Sequence, residues 1–170
     1  MQRYFINQNA DESQRFFITD KDDIHHISNV MRRQVGAKII VTFEDLKVYL
    51  CEITAINNEG VEFKLLEEQP NDTELPIEVT ICSGLIKADK YEWLLQKTTE
   101  LGASHFIAVQ MDRSVVKLNQ SKADKKLTRW NKIVKEAAEQ SYRLVIPTIE
   151  FVSNLKKVYV NICLLYTSDA

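Results

Sequence analysis

No two cysteines in this chain stand in a CxxC spacing, no HExxH motif occurs, and the histidines, His25, His26 and His105, have no cysteine companions. A metal site built on familiar ligand spacings is therefore not expected. Cys51, Cys82 and Cys163 are an odd number, and the first two sit in β-branched, strand-like runs, so they are read as small buried hydrophobes. No uninterrupted apolar run approaches the roughly 18 residues of a membrane span, and Met1 to Asp11 has neither a basic nor an apolar leader region. No membrane partner is expected, and the cytoplasm is the default location. Gly84 to Lys90 lacks the second glycine and the Lys-Ser/Thr pair of a phosphate loop, which argues against nucleotide hydrolysis.

Net charge is also small, at −2, but it is unevenly spread. Met1 to Ile86 holds 8 basic and 15 acidic residues, whereas Lys87 to Arg143 holds 12 basic and 7 acidic. The local excess of cations in the second segment suits an anionic partner, with a solvated Lys-rich helix face as the plainer alternative. With 170 residues, 45% of them apolar, the chain has enough material for a core in one domain or two small ones.

Strand-like starts at Arg3 to Ile6 and Phe16 to Ile18 precede a capping-box-like opening at Thr19 and Asp22. Ile24, Ile27 and Met31 then recur at helical spacing, and Gly36 marks the expected stop just past Arg32 and Arg33. Lys38 to Phe43, Val48 to Ile56 and Val61 to Leu66 read as strands, the last two joined by a Gly-containing hairpin loop. Short strands with one small helix suggest a barrel that closes its own edges. The stretch EEQPNDTELP, Glu67 to Pro76, breaks this pattern and marks a domain boundary.

From Ile77 the order becomes strand (Ile77 to Leu85), helix (Lys90 to Leu101), strand (His105 to Val109) and a long helix (about Ser121 to Ser141), which predicts a parallel α/β sheet. In the first of these helices Tyr91, Leu94, Leu95, Thr98 and Leu101 form the expected buried stripe, with Gly102 as a left-handed stop. Lys90, Trp93 and Lys97 share another face, where Trp93 could serve a subunit contact. In the long helix Ala123, Leu127, Trp130, Val134, Ala137, Ala138 and Ser141 face inward, leaving Lys125, Arg129, Lys132 and Glu136 outside.

In order along the chain, MQRYF, the His25-His26 to Met31-Arg32 helix, Ser83-Gly84-Leu85, Lys87-Ala88-Asp89-Lys90, YEWLLQKTTELGA, Arg113-Ser114-Val115-Val116 and EAAEQSYR resemble the RsmE family of ribosomal RNA methyltransferases. The resemblance runs from Met1 to about Glu150. It implies an α+β two-domain fold: a PUA-like RNA-binding β-barrel over residues 1–70, then a SPOUT α/β domain, the knotted methyltransferase class, over residues 71–170. It further implies transfer of a methyl group from S-adenosylmethionine to N3 of a uridine in small-subunit ribosomal RNA, by a homodimer. Two departures matter. Ala88 stands where the family commonly has glycine, and the family's Gly-Pro-Glu-Gly-Gly loop and Arg-Ile-Leu-Arg-x-Glu-Thr-Ala segment have no counterpart here. The expectation is a partial SPOUT domain lacking the knot and its cofactor site, with a tail from about residue 157 that departs from the family and ends in CLLYTSDA, which resembles translated adapter sequence. A truncated chain of this kind is expected to bind little cofactor and to aggregate.

Methylating uracil N3 requires loss of its proton while the methyl donor approaches in line, so fixed cations and hydrogen-bonding groups beside the base are needed. Arg113, Glu136, Gln140 and Arg143 are the catalytic candidates, with Glu136 able to accept a proton. Ordinary helical pairing among the last three, and an ion pair of Arg113 with Asp112, are the structural alternatives. Arg3, His25, Arg32, Arg33, Lys87 and Lys90 are the candidate RNA contacts. A non-catalytic RNA-binding module is the rival reading.

Overall fold

In the computed structural model, residues 1–11, 15–57, 59–112, 114, 116–156 and 158 are described. Two compact units divide between Thr73 and Glu74.

The first unit contains β1 (Arg3–Phe5), β2 (Phe16–Ile18), α1 (Lys21–His25), β3 (Lys38–Thr42), β4 (Val48–Asn57) and β5 (Gly60–Glu68). They form a five-stranded half-barrel sheet of order β1-β3-β4-β5-β2, with β1 parallel to β3 and the other pairs antiparallel. Among the described residues the expected barrel thus stays open, with β1 and β2 as its edges and no pairing between them. Register puts Phe16 opposite Phe63, and their rings stack at 5.7 Å while Phe43 meets Phe16 edge-on at 5.0 Å. Cys51 is fully buried in this core, and burial pushes its thiol pKa up to about 12, so it behaves as a small hydrophobe.

The cap of α1 falls one residue later than the sequence suggests. Asp20, not Thr19, accepts the amides of Asp22 and Asp23, at 2.9 and 3.1 Å. After α1 the chain widens into a π-helical turn over His26–Val30, and it stops at Arg32, which takes a left-handed φ of 48°, rather than at Gly36. In the β4–β5 hairpin the Asn57 side chain accepts the amides of Glu59 and Gly60. Gly60 is at φ 152°, and a Cβ there would lie 2.5 Å from the Ile18 carbonyl oxygen.

The second unit contains β6 (Thr80–Gly84), α2 (Ala88–Glu100), β7 (His105–Val109), α3 (Gln120–Gln140) and β8 (Thr148–Val152). Its three strands are parallel in the order β6-β7-β8. Strand β8, absent from the sequence expectations, carries Ile149 and Phe151 toward the helices and exposes Thr148 and Glu150. Tyr91 and Leu95 of α2 and Trp130 and Val134 of α3 pack with Phe106 and Ala108, so both helices cover one sheet face. The Tyr91 and Trp130 rings lie 4.8 Å apart. Ile107, Val109, Val152 and Val158 gather on the opposite face.

Two burial expectations fail here. Leu101 is exposed and Thr99 takes the inner position, because Tyr91, Leu95 and Thr99 step by four along the stripe and two further residues carry Leu101 around the helix. Cys82 is exposed, since Ile81 packs under the helices and the next residue on the strand points the other way. No helix among the described residues is long and apolar enough to cross a membrane.

Gly60→Ala should destabilise the first unit by on the order of 1–3 kcal/mol, read from a denaturant midpoint. An unchanged midpoint would show that the β2–β5 approach does not need a bare Cα.

Candidate functional site

Helices α2 and α3 pack side by side and leave a groove of about 440 Å³ between them. Asp89, Trp93 and Gln96 line it from α2, and Glu136, Ala137 and Gln140 line it from α3. Both Glu136 and Gln140 are exposed there, so the helical spacing of four brings these two candidates to one surface. Trp93 forms part of the rim and is 63% exposed. The two helices are tied by a two-pronged pair: Arg129 Nε donates to Glu92 Oε1 at 2.6 Å and Nη2 donates to Oε2 at 2.7 Å. That bonding holds the Glu92 carboxyl below its usual range.

Lys87 and Lys90 stand exposed at the start of α2, and neither forms an ion pair with a described residue. Lys97, on the same helix, is neutralised by Glu100 at 2.8 Å. In the first unit Arg32 is exposed, Arg33 half-buried, and His25 exposed with its ring nitrogen 2.9 Å from the Asn29 amide. Arg113 lies outside the described residues.

Two candidates are placed differently from expectation. Arg3 is only 4% exposed on β1, beside the core residue Tyr4, so its side chain does not lie where an RNA backbone could run. Arg143 has a side chain 3% exposed, turned inward to a carboxylate that sequence reading missed. Its Nη2 donates to Glu74 Oε2 at 2.6 Å, its Nε donates to both Glu74 oxygens at 3.1 Å, and its Nη1 donates to the carbonyls of Thr99 and Ala103. The Leu144 amide completes the clamp on Glu74 Oε1 at 2.7 Å. Desolvation pushes the Glu74 carboxyl up, but the Arg143 and Leu144 hydrogen bonds and the Arg143 charge outweigh it and leave its pKa lowered. Arg143 is therefore a structural cation, and the groove keeps Glu136 and Gln140 without it. Glu74 has no sequence signal, since 69 residues separate it from its partner; Trp93 and Arg129 are legible as outward-facing positions on their helices.

The profile of the RNA methyltransferase domain matches residues 73–167, and that of the RNA methyltransferase PUA domain matches residues 18–66. The chain belongs to the RsmE family of RNA methyltransferases. The RsmE-family chain is 47% identical, over 161 residues, to ribosomal RNA small subunit methyltransferase E of Bacillus subtilis, covering 93% of this chain and 62% of that protein. It is 26% identical to ribosomal RNA small subunit methyltransferase E 2 of Borreliella burgdorferi, covering 96% and 67% respectively. It spans about two thirds or less of the length of these RsmE relatives. Among solved structures, the Neisseria gonorrhoeae enzyme of the same name, bound to S-adenosyl methionine, superposes with a TM-score of 0.81 at 28% identity, over 90% of this chain and 63% of that one. A crystal structure of a hypothetical protein superposes with a TM-score of 0.87 at 43% identity, over 95% and 67%.

Glu74→Gln leaves Arg143 buried without its charge partner and should cost about 3 kcal/mol, measured by urea unfolding. Because folding lowers the Glu74 pKa, the pair's contribution is complete above the unfolded carboxylate pKa of about 4.3 and disappears as pH falls through the lower native value. The variant should lack that acid-side slope, and a slope equal to the parent's would contradict the clamp.

Proposed function

We propose that this chain is the RNA-holding part of an enzyme that transfers a methyl group from S-adenosylmethionine to N3 of a uridine in small-subunit ribosomal RNA. Family membership carries the reading, together with the named relatives that are small-subunit ribosomal RNA methyltransferases. In this reading residues 1–70 form the PUA-like RNA-binding domain and residues 71–170 a partial SPOUT domain without its knot. The enzyme works as a homodimer in the cytoplasm, on ribosomal RNA or the assembled small subunit.

The described residues do not by themselves fit the cofactor. At the carboxyl ends of the parallel strands, where such sheets hold ligands, two of the polar groups serve the loop itself: Gln110 Oε1 accepts the Leu118 amide at 2.6 Å and Ser114 Oγ accepts the Met111 amide at 3.0 Å. Ile86 and Met111 stand exposed beside them, while Leu85 is buried in the core. The reading therefore assigns the cofactor to protein beyond this chain and routes no step through these residues.

What the chain itself offers is a grip. Lys87 and Lys90 contact phosphate, Gln140 hydrogen-bonds the base, and Glu136 takes the N3 proton or orients a group that does. Arg113, at the end of β7 in sequence, is assigned to the same substrate. A non-catalytic RNA-binding module is the second reading, favoured for the chain alone by the engaged polar groups at the strand ends.

Extending the gene to the relatives' length and incubating the product with S-adenosylmethionine and undermodified small subunits should yield N3-methyluridine; binding without methylation would leave only the module. Replacing both Lys87 and Lys90 by Ala should flatten the salt dependence of RNA binding by about two in log-log slope. An unaltered slope would remove these lysines from the interface.

A further inference from the structure

The turn that closes the π-helical stretch after α1 carries Arg32 and Arg33, two of the candidate RNA contacts, and next to them apolar side chains that the fold leaves in solvent. Val30 is 59% exposed, Met31 39% and Val35 63%, three apolar side chains within six residues. Between them Arg32 holds a left-handed backbone that favours glycine, while the Arg33 amide closes on the Ile27 carbonyl at 2.9 Å and the Met31 amide on the His26 carbonyl at 2.8 Å. A glycine would make this stop more easily, so the chain holds Arg32 here at a backbone cost.

The charges point the same way. Ile24 to Phe43 contains no Asp or Glu and carries Arg32, Arg33 and Lys38, whereas the rest of residues 1–73 holds 13 acids against 5 bases. Arg15, Arg129 and Arg143 each face a carboxylate, yet among the described residues neither Arg32 nor Arg33 has an ion pair or a side-chain hydrogen bond. Unpartnered guanidinium groups beside bare apolar side chains complement a ligand that is anionic along one edge and flat and apolar along the other. Unpaired RNA has that character, and a duplex, with its base faces stacked inside, does not.

We infer that the Val30–Val35 turn is a binding site for unpaired RNA, in which Val30, Met31 and Val35 receive base faces and Arg32 and Arg33 hold the flanking phosphates. This rests on the RNA-directed reading above and adds to it which surface of the first unit engages RNA and in which form.

The test titrates the whole 170-residue chain with a labelled oligouridylate of about a dozen nucleotides and with an RNA duplex of equal length. The parent should prefer the single strand. Arg32→Gly suits the backbone, so its melting temperature should not fall, while its affinity for oligouridylate should drop roughly tenfold and its salt slope by about one. Met31→Ser combined with Val35→Ser should weaken oligouridylate binding and leave duplex binding alone. If the parent binds RNA and these variants match it, the turn is not the site and the broader reading survives. A parent that binds no RNA at any salt concentration overturns both. Self-association lost in the Met31/Val35 variant with RNA affinity unchanged would assign the patch to a second copy and also overturn the inference.

Discussion

A guanidinium buried in a small α/β unit has to be met by a carboxylate, and the Arg143–Glu74 clamp meets that demand for the whole second half of the chain. Its members come from the segment ahead of β6, the end of α2 and the end of α3. One cluster thereby fixes where the strand series begins and where both helices stop. Tyr142, left-handed at φ 59°, turns the chain so that the next residue points inward. Gly102, at φ 104°, leaves room for Leu75, whose side chain would lie within 2.6 Å of any Cβ there. Conformational oddities on both sides of the clamp therefore serve a single electrostatic requirement.

Cations in this molecule sort by whether they have a carboxylate. Arg129 and Arg143 have one, and both join elements: the first ties α2 to α3, the second ties the chain's approach to its helix ends. Lys87, Lys90, Arg32 and Arg33 have none among the described residues, and their field extends into solvent instead of ending on a neighbour. The proposed RNA-directed role draws on this second group, and the stability of the second unit on the first.

Elements governed by local pattern are legible in the sequence. The strand His105–Val109 and the helix Gln120–Gln140 follow directly from hydrophobic period, and Trp130 falls in the core as its place on the wheel implies. Legibility ends where a distant partner decides. Arg143 sits at helical spacing from Glu136 and Gln140, so the sequence groups the three, whereas a carboxylate 69 residues earlier draws the arginine inside. Arg3 is lost to the core for a similar reason, since a three-residue strand takes its burial from the sheet it joins. The open edges of the half-barrel, likewise, depend on how far the sheet curls, which no residue pattern encodes.

With both helices on one side of β6-β7-β8, the far side has its own chemistry. Cys82 is paired in register with Ile107, so its thiol belongs to the surface formed by Ile107, Val109 and Val152. Any polypeptide that comes to rest on that surface also shields the sulfur. The molecule thus carries a built-in reporter: the rate at which Cys82 reacts with an alkylating reagent measures how completely its sheet is roofed.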